Sequence, residues 1–492
     1  LLARRRVAVR ASAVRNAFRA CSRRAAVLAP ALVLSLMLPG GCRPPAEPGP
    51  PNVVLITVES LRADHVGAYG YARETTPTLD TLASEGIVFE NAYAVTSWTL
   101  PAHASILTGL YPAAHRVVAY NHRLDDSYPT LAELLGEAGY QTAAFVSGPF
   151  LQSQHNLDQG FQVFDQSASN PGGNQAAHSD VTNDAIERLV TRFLAEGRDP
   201  ERPLFLFVYL WDPHYDYIPP APWDAAFVPP YAEPIDLVGY EVRDRVTEET
   251  PAEQLAYVVS QYDGEIAATD ALLGRLFERL DETLSWDDTL VVVTSDHGEE
   301  FFEHGTKGHR NNLYEESLRI PLIVRAPGVS GPVRDSRLVS QIDIFPTILE
   351  AAGIATAPHH HGRSLLAAAD APPRPLFFEL KTEWVARDEE TGERGILSDL
   401  WLAVRDGDLK LVLGRNEGRV ELFDLSEDPT EQVPLGPGFR RRMTELDRKL
   451  QEHLEAMKAD GERWERSGPV SLSPGQEDRL RSLGYLGPAD DD

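Results

Sequence analysis

The chain predicts an α/β protein with a mostly parallel central sheet, followed by a smaller C-terminal α+β part with an antiparallel sheet. Three observations carry this. Apolar, β-branched runs recur at Val53–Val58, Ala143–Ser147, Leu204–Leu210, Thr289–Thr294 and Ile320–Val324, the spelling of parallel strands buried on both faces. Helical patterns lie between them, the usual way of joining parallel strands. Beyond about residue 370 the runs become shorter and alternate, at Trp401–Val404, Leu409–Leu413 and Val420–Leu425, which fits a small antiparallel sheet. The 492 residues, 42% hydrophobic and 24% charged, allow one large folded domain plus a smaller one.

Taken from the start, residues 1–42 read as a leader. Arg4, Arg5, Arg6, Arg10, Arg15, Arg19, Arg23 and Arg24 occur with no acid among them, and an apolar run from Ala25 to Leu38 leads into Pro39-Gly40-Gly41-Cys42. A basic region, a short apolar region and small residues form the signal-peptide pattern. The apolar run is short for a membrane span. Gly40-Gly41-Cys42 resembles a bacterial lipoprotein cleavage site, which would make Cys42 the lipidated first residue. The expectation is an exported, envelope-attached lipoprotein, periplasmic or on the outer membrane, touching the membrane through its lipid anchor only. Residues 43–51, rich in proline, form a stiff linker. Cys21 and Cys42 are the only cysteines, so the body has no disulfide, cysteine metal site or thiol nucleophile.

Acidic residues number 74 against 46 basic ones, a net charge of −28. Eight of those basic residues sit in the leader, so the body is more acidic still. It repels phosphate backbones, and nucleic acid is not an expected partner. Within the body, Pro129–Ala138 places Leu131, Leu134 and Leu135 on one helical face. Ala252–Leu280 steps through Leu255, Val259, Tyr262, Ile266, Leu273, Phe277 and Leu280. The polar or proline-rich inserts Gln166–Asp180 and Ile218–Glu249 are long enough to shape a pocket. A helical segment near Arg440–Met457 precedes a polar tail, and no internal repeat is visible.

Open α/β sheets bind ligands beyond the carboxyl ends of their strands. Here Val53–Val58 runs into Glu59, Leu204–Leu210 into Trp211-Asp212-Pro213-His214, and Thr289–Thr294 into Ser295-Asp296-His297-Gly298. Carboxylates and imidazoles from separate strand ends supply mixed oxygen and nitrogen ligands to a divalent cation. Any one of them alone would pass as a capping or turn residue. Ser97 to Leu107 reads as a helix start, with Thr99 or a neighbour at the N-cap and Pro101 in the first turn. Free N–H groups there suit a tetrahedral anion. A hydroxyl held beside a metal can lose its proton and attack phosphorus or sulfur.

These segments together resemble the sulfatase family of the alkaline phosphatase superfamily, from about Asn52 to Leu366. Asn52–Val58 followed by Leu61-Arg62-Ala63-Asp64-His65 is similar to the family's first strand. Thr99-Leu100-Pro101-Ala102-His103, continuing to Leu107-Thr108-Gly109-Leu110-Tyr111-Pro112, is similar to its nucleophile motif. Ser295-Asp296-His297-Gly298-Glu299, Leu313-Tyr314-Glu315-Glu316-Ser317-Leu318-Arg319-Ile320-Pro321 and Asp343-Ile344-Phe345-Pro346-Thr347 resemble later motifs. Glu421-Leu422-Phe423-Asp424-Leu425, Asp428-Pro429 and Leu483-Gly484-Tyr485 resemble its C-terminal subdomain. The resemblance implies an alkaline phosphatase-like α/β/α sandwich, with a catalytic domain over residues 52–370 and a C-terminal subdomain and tail over 371–492. It implies that Glu59, Thr99, Asp296 and His297 hold one divalent metal ion, Ca²⁺ or Mn²⁺/Mg²⁺, and that Thr99 is also the nucleophile. His214 and His309 fall near positions that contact the substrate, and His103 stands where the family has an arginine. His304 is a looser pocket candidate.

The departures bear on the chemistry. Family sulfatases convert a Cys or Ser at the nucleophile position into formylglycine, whereas the methyl of Thr99 would give a ketone, so no formylglycine is expected. The family's Gly-Lys-Trp-His stretch is missing: after Gly139-Tyr140-Gln141-Thr142, Ser147-Gly148-Pro149-Phe150 stands in its place. Glu59-Ser60 replaces a paired Asp-Asp. A Glu, Thr, Asp, His set resembles that of lipoteichoic acid synthases, where phosphorus is handled. The expected function is therefore an exported metal-dependent hydrolase of phosphate or sulfate esters, phosphoester favoured, acting on an anionic ester of an envelope glycan or lipid. The alternatives are a phosphoglycerol- or phosphoethanolamine-type transferase, and a silent scaffold that binds anionic glycans. Asp212, His214 and His309 suit a second metal less well, because the Asp-x-His spacing is short.

Overall fold

The computed structural model describes residues 49–169, 182–214, 217–237, 245–355, 359–367, 371–387, 394–416 and 418–482. The leader with Cys42, Leu483-Gly484-Tyr485 and most of the Gln166–Asp180 insert lie outside them.

Ten short strands precede the C-terminal part: β1 (Asn52–Val58), β2 (Ile87–Tyr93), β3 (Gln141–Phe145), β4 (Val163–Asp165), β5 (Leu204–Leu210), β6 (Thr289–Ser295), β7 (Glu300–Phe301), β8 (Lys307–Gly308), β9 (Leu322–Arg325) and β10 (Val333–Ser340). Eight of them form one sheet in the order β10-β2-β9-β6-β1-β5-β3-β4. β1 lies at its centre, parallel to β5 on one side and β6 on the other. Its residues divide between two cores. Val53 and Leu55 pack with the Thr99–Thr108 helix, while Val54, Ile56 and Val58 pack with the Ala252–Thr283 and Asn183–Glu196 helices. Apolar side chains on both faces are what a near-continuous apolar strand requires, and the result is an α/β/α sandwich.

One expected strand is corrected. The run at Ile320–Val324 forms β9, but antiparallel to both β2 and β6. After β6 the chain stays at the carboxyl end of the sheet through β7, β8 and the Glu315–Leu318 helix. No crossover helix returns it to the other end, so it re-enters the sheet running downward. β2 and β10, which escape sequence reading, carry mixed residues such as Glu90, Asn91, Arg334 and Asp335 toward the sheet's edge. The expected Pro129–Ala138 helix is Leu131–Glu137. Thr130 closes a capping box with Glu133 and so sets its start.

The C-terminal sheet has four antiparallel strands, β11 (Leu376–Arg387), β12 (Arg394–Asp406), β13 (Leu409–Gly414) and β14 (Arg419–Asp424), one more than the alternating runs predicted. Its two faces bury different partners. Leu402, Val404, Leu411, Leu413 and Leu422 meet Leu446, Leu450 and Leu454 of the Arg440–Gly461 helix. Phe378, Trp401, Ala403, Val412 and Phe423 join the core of the main sheet. Among the described residues, no helix is long and apolar enough to cross a membrane.

Candidate active site

The carboxyl ends of β1 and β6 are adjacent, because Val58 pairs with Ser295. Glu59 and Asp296-His297 therefore emerge side by side, and all three are fully buried. Ser60 turns the chain off β1 with φ of 51°, a conformation that costs a non-glycine residue energy and clusters at functional sites. The turn points Ser60 N at Asp296 Oδ1, 3.1 Å away, and Ser60 Oγ at Glu59 Oε1, 2.9 Å away. Leu61 N donates to Ser295 Oγ, which itself donates to His297 O. Gly298 follows because a Cβ there would fall 1.9 Å from Glu316 O.

Thr99 enters as the first residue of its helix. Trp98, rather than Thr99, is the N-cap, and it makes no side-chain cap. The hydroxyl of Thr99 is thus released from capping and faces the strand ends. Its Oγ1 lies 3.4 Å from each Glu59 oxygen and 3.3 Å from His297 Nε2. Pro101 lacks an N–H, which leaves the amides of Thr99 and Leu100 as the donors of the first turn.

His309 joins this group. Ligand atoms of Glu59, His297 and His309 lie within 4.8 Å of one another, and the His297 and His309 rings are 4.5 Å apart. The His309 loop is stitched to the nucleophile loop, with Arg310 N donating to Ser97 O and Ser97 Oγ donating to Asn312 O. His214 stacks on Trp211 at 3.9 Å and meets the His309 ring edge-to-face at 5.4 Å. Trp211 in turn fills the space over Gly148, where a Cβ would sit 2.2 Å from the indole.

Other candidates are placed differently. His103 lies beneath the group, with Nδ1 on Thr99 O, Nε2 on Thr57 Oγ1 and Asp296 Oδ2 at 3.8 Å. Burial keeps its pKa low, only partly offset by Asp296, so it is a neutral ring bracing the helix start against β1. Asp212 Oδ2 accepts from Asn183 N, at the start of the Asn183–Glu196 helix. His304 is held between Glu316 and Glu431 O and stacks on Tyr314. Arg310 escaped sequence reading. Its guanidinium lies over the Trp98 ring at 4.5 Å, and φ of 69° holds its backbone in the left-handed region. Its adjacency to His309 in Gly308-His309-Arg310 was the available signal.

Burial and mutual repulsion dominate the electrostatics. Desolvation and the Glu59 charge push Asp296 up to about 7. Burial lowers His297, but Asp296 and Glu59 outweigh it and raise the imidazole to about 10. Burial, with His297 and Arg310 nearby, holds His309 well below its ordinary value. Every ion-pair partner of Glu59, Asp296 and Glu299 among the described residues is a histidine. Asp296 Oδ2 is buried without a hydrogen-bond donor. Buried carboxylates without a fixed cation, one oxygen unsatisfied and an imidazole beside them, fit a divalent metal ion.

Known proteins point the same way. A family model described as Sulfatase matches residues 51–354, and one described as N-sulphoglucosamine sulphohydrolase, C-terminal, matches residues 302–460. Arylsulfatase K of Bos taurus is 24% identical over 82% of this chain and 82% of its own length. A multifunctional alkaline phosphatase superfamily protein of Trinickia caryophylli, PehA, is 29% identical over 68% of this chain and 80% of its own. The solved phosphonate monoester hydrolase of Agrobacterium radiobacter has the same fold. It matches with a TM-score of 0.65 and 24% identity, covering 86% of this chain and 100% of that one.

Proposed function

The chain belongs to the sulfatase family of ester-hydrolysing enzymes, and from that premise we propose a metal-dependent phosphoester hydrolase whose nucleophile is Thr99 Oγ1. The observation that carries this reading is the placement of that hydroxyl at the helix start, 3.3 Å from His297 and 3.4 Å from both Glu59 oxygens. Glu59, Asp296 and His297, with Thr99, would hold one divalent ion, which when bound supplies the positive charge that favours the Thr99 alkoxide.

The chain's own groups do the rest. The substrate's non-bridging oxygens lie against the amides of the helix start. Thr99 Oγ1, its proton passed to solvent, attacks phosphorus; an Oγ–P bond forms as the bond to the leaving oxygen breaks. His214 donates a proton to that oxygen, so the product departs as an alcohol. Water then attacks phosphorus and the Oγ–P bond breaks. Thr99 regains a proton, and inorganic phosphate leaves, or a phosphomonoester if the substrate was a diester. His214 recovers its proton from the attacking water.

Phosphorus is favoured over sulfur because a threonine cannot become the aldehyde hydrate through which family sulfatases release sulfate. The relation to a protein named for multifunctional superfamily activity and to a phosphonate monoester hydrolase supports the same direction. The arginine-rich leader and Gly40-Gly41-Cys42 support, within this proposal, export to the bacterial envelope and lipid anchoring.

The test offers nitrophenyl phosphate, bis-nitrophenyl phosphate and nitrophenyl sulfate to the purified protein with Mn²⁺, Mg²⁺, Ca²⁺ or Zn²⁺, beside Thr99→Ala. Phosphoester turnover is expected, falling by about 10³-fold or more in the variant. Sulfate-ester turnover that survives the substitution would overturn the mechanism.

A further inference from the structure

Resting on the reading of a metal-bearing site, we propose that His309 is a second imidazole ligand of the ion, buttressed by Glu299, so that the site prefers a borderline first-row ion such as Zn²⁺ or Mn²⁺ to Ca²⁺ or Mg²⁺. Three observations carry it. His309 supplies a ligand atom within 4.8 Å of those of Glu59 and His297, from a loop 10 residues beyond Glu299 in sequence but returned to it by the β7–β8 hairpin, in which Glu300 pairs with Gly308. Its Nδ1 is 3.5 Å from Glu299 Oε1. Glu299 is fully buried, and among the described residues its ion-pair partner is the His309 imidazole rather than a lysine or arginine.

A ligating histidine commonly turns its other ring nitrogen to a carboxylate, which fixes the ring and raises its basicity. Glu299 stands in that place. The His309 backbone is also pinned, because Gly308 takes φ of 87° and Arg310 N is bonded to Ser97 O. Two imidazoles with Glu59 and Asp296 make a mixed nitrogen and oxygen set. Ca²⁺ takes six to eight oxygens and Mg²⁺ a near-octahedral oxygen shell with retained waters. Imidazole-rich sets suit Zn²⁺ and its neighbours.

The full protein, stripped with chelator, answers this without any turnover. Pulsed EPR of the Mn²⁺-loaded chain should show nitrogen couplings from two imidazoles, and calorimetry should show Zn²⁺ binding at least about 10³-fold tighter than Ca²⁺. His309→Gln should lose one nitrogen and weaken Zn²⁺ by about 10- to 100-fold, leaving Ca²⁺ little changed. Glu299→Gln should keep both nitrogens yet weaken Zn²⁺ by about tenfold. A single nitrogen in the wild-type chain overturns the inference whatever the variants do, as does Zn²⁺ affinity that His309→Gln leaves intact. Two nitrogens with no phosphoester turnover would remove the proposed function and keep this site. Turnover with one nitrogen and a preference for Ca²⁺ would do the reverse.

Discussion

Two regions of this molecule bury acidic side chains completely, and they solve the problem in opposite ways. Where the C-terminal sheet meets the catalytic body, Lys410 is fully buried with its Nζ 3.0 Å from Glu315 and 2.9 Å from Glu431. Glu431 also accepts from Glu315 N, and its own carbonyl bonds His304. The cation is supplied by the chain, so the cluster is complete. At the ends of β1 and β6, Glu59, Asp296 and Glu299 meet imidazoles, hydroxyls and amides, and no lysine or arginine pairs with them among the described residues. The first arrangement fastens two parts of a fold. The second leaves a charge deficit that a divalent metal ion would fit, which is how the proposed functional cluster differs from a structural one of similar composition.

The difference can be broken most sharply at Glu59. Glu59→Gln should lower phosphoester kcat/KM by about 10³-fold. It should also abolish any rise in Tm on adding metal, while the metal-free chain stays at least as stable, having lost one of two facing carboxylates. A thermal scan with and without Mn²⁺ reads both. Lys410→Met should do the converse. The fully buried Glu431 loses its cation and the largely buried Glu315 is left with Arg405 at 3.8 Å, stability falls by about 3–5 kcal/mol in urea titration, and metal affinity of the folded fraction is retained.

Arg310 sharpens the comparison at the edge of the site, as the cation beside His309 and over Trp98. Arg310→Ala should raise KM for nitrophenyl phosphate by about tenfold with a smaller change in kcat, and Arg310→Lys should restore part of it. A smaller effect is expected at Glu300, on the segment joining the two clusters. Burial raises it to about 8, although Asn311 and Ser317 donate to it. The folded chain thus holds a proton that the unfolded chain releases near 4.5. Its stability contribution is fully present below that value and is lost as pH rises through about 8. Glu300→Gln should flatten that limb of the stability profile, measured by denaturation from pH 5 to 9.

Much of the candidate site was legible because its residues sit where strands stop. Glu59 and Asp296-His297 end two apolar runs, and Thr99 opens a helix with proline two residues later. What was not legible depended on return paths. His309 and Glu299 come together through the β7–β8 hairpin, two residues per strand, too short to leave a periodicity. Glu431, on an irregular segment with φ of 56°, carries no pattern that announces its contact with Glu315. His103 stood where the family has an arginine, and only packing shows both its nitrogens engaged within the helix start and β1.

The sequence by itself determined the layered α/β fold. Strands buried on both faces need apolar side chains at every position, and the helices between them need a 3.6-residue stripe. It also determined the family, through motifs whose spacing is local. Only the tertiary structure decided the direction of β9 and the fourth strand of the small sheet, and which of two buried acidic clusters pairs with a lysine and which, among the described residues, with histidines alone. Those follow from which ends of the sheet the chain revisits and from charges brought together across more than 200 positions, such as Glu59 and His297. Burial makes such long-range pairings energetically decisive, and a linear pattern does not record them.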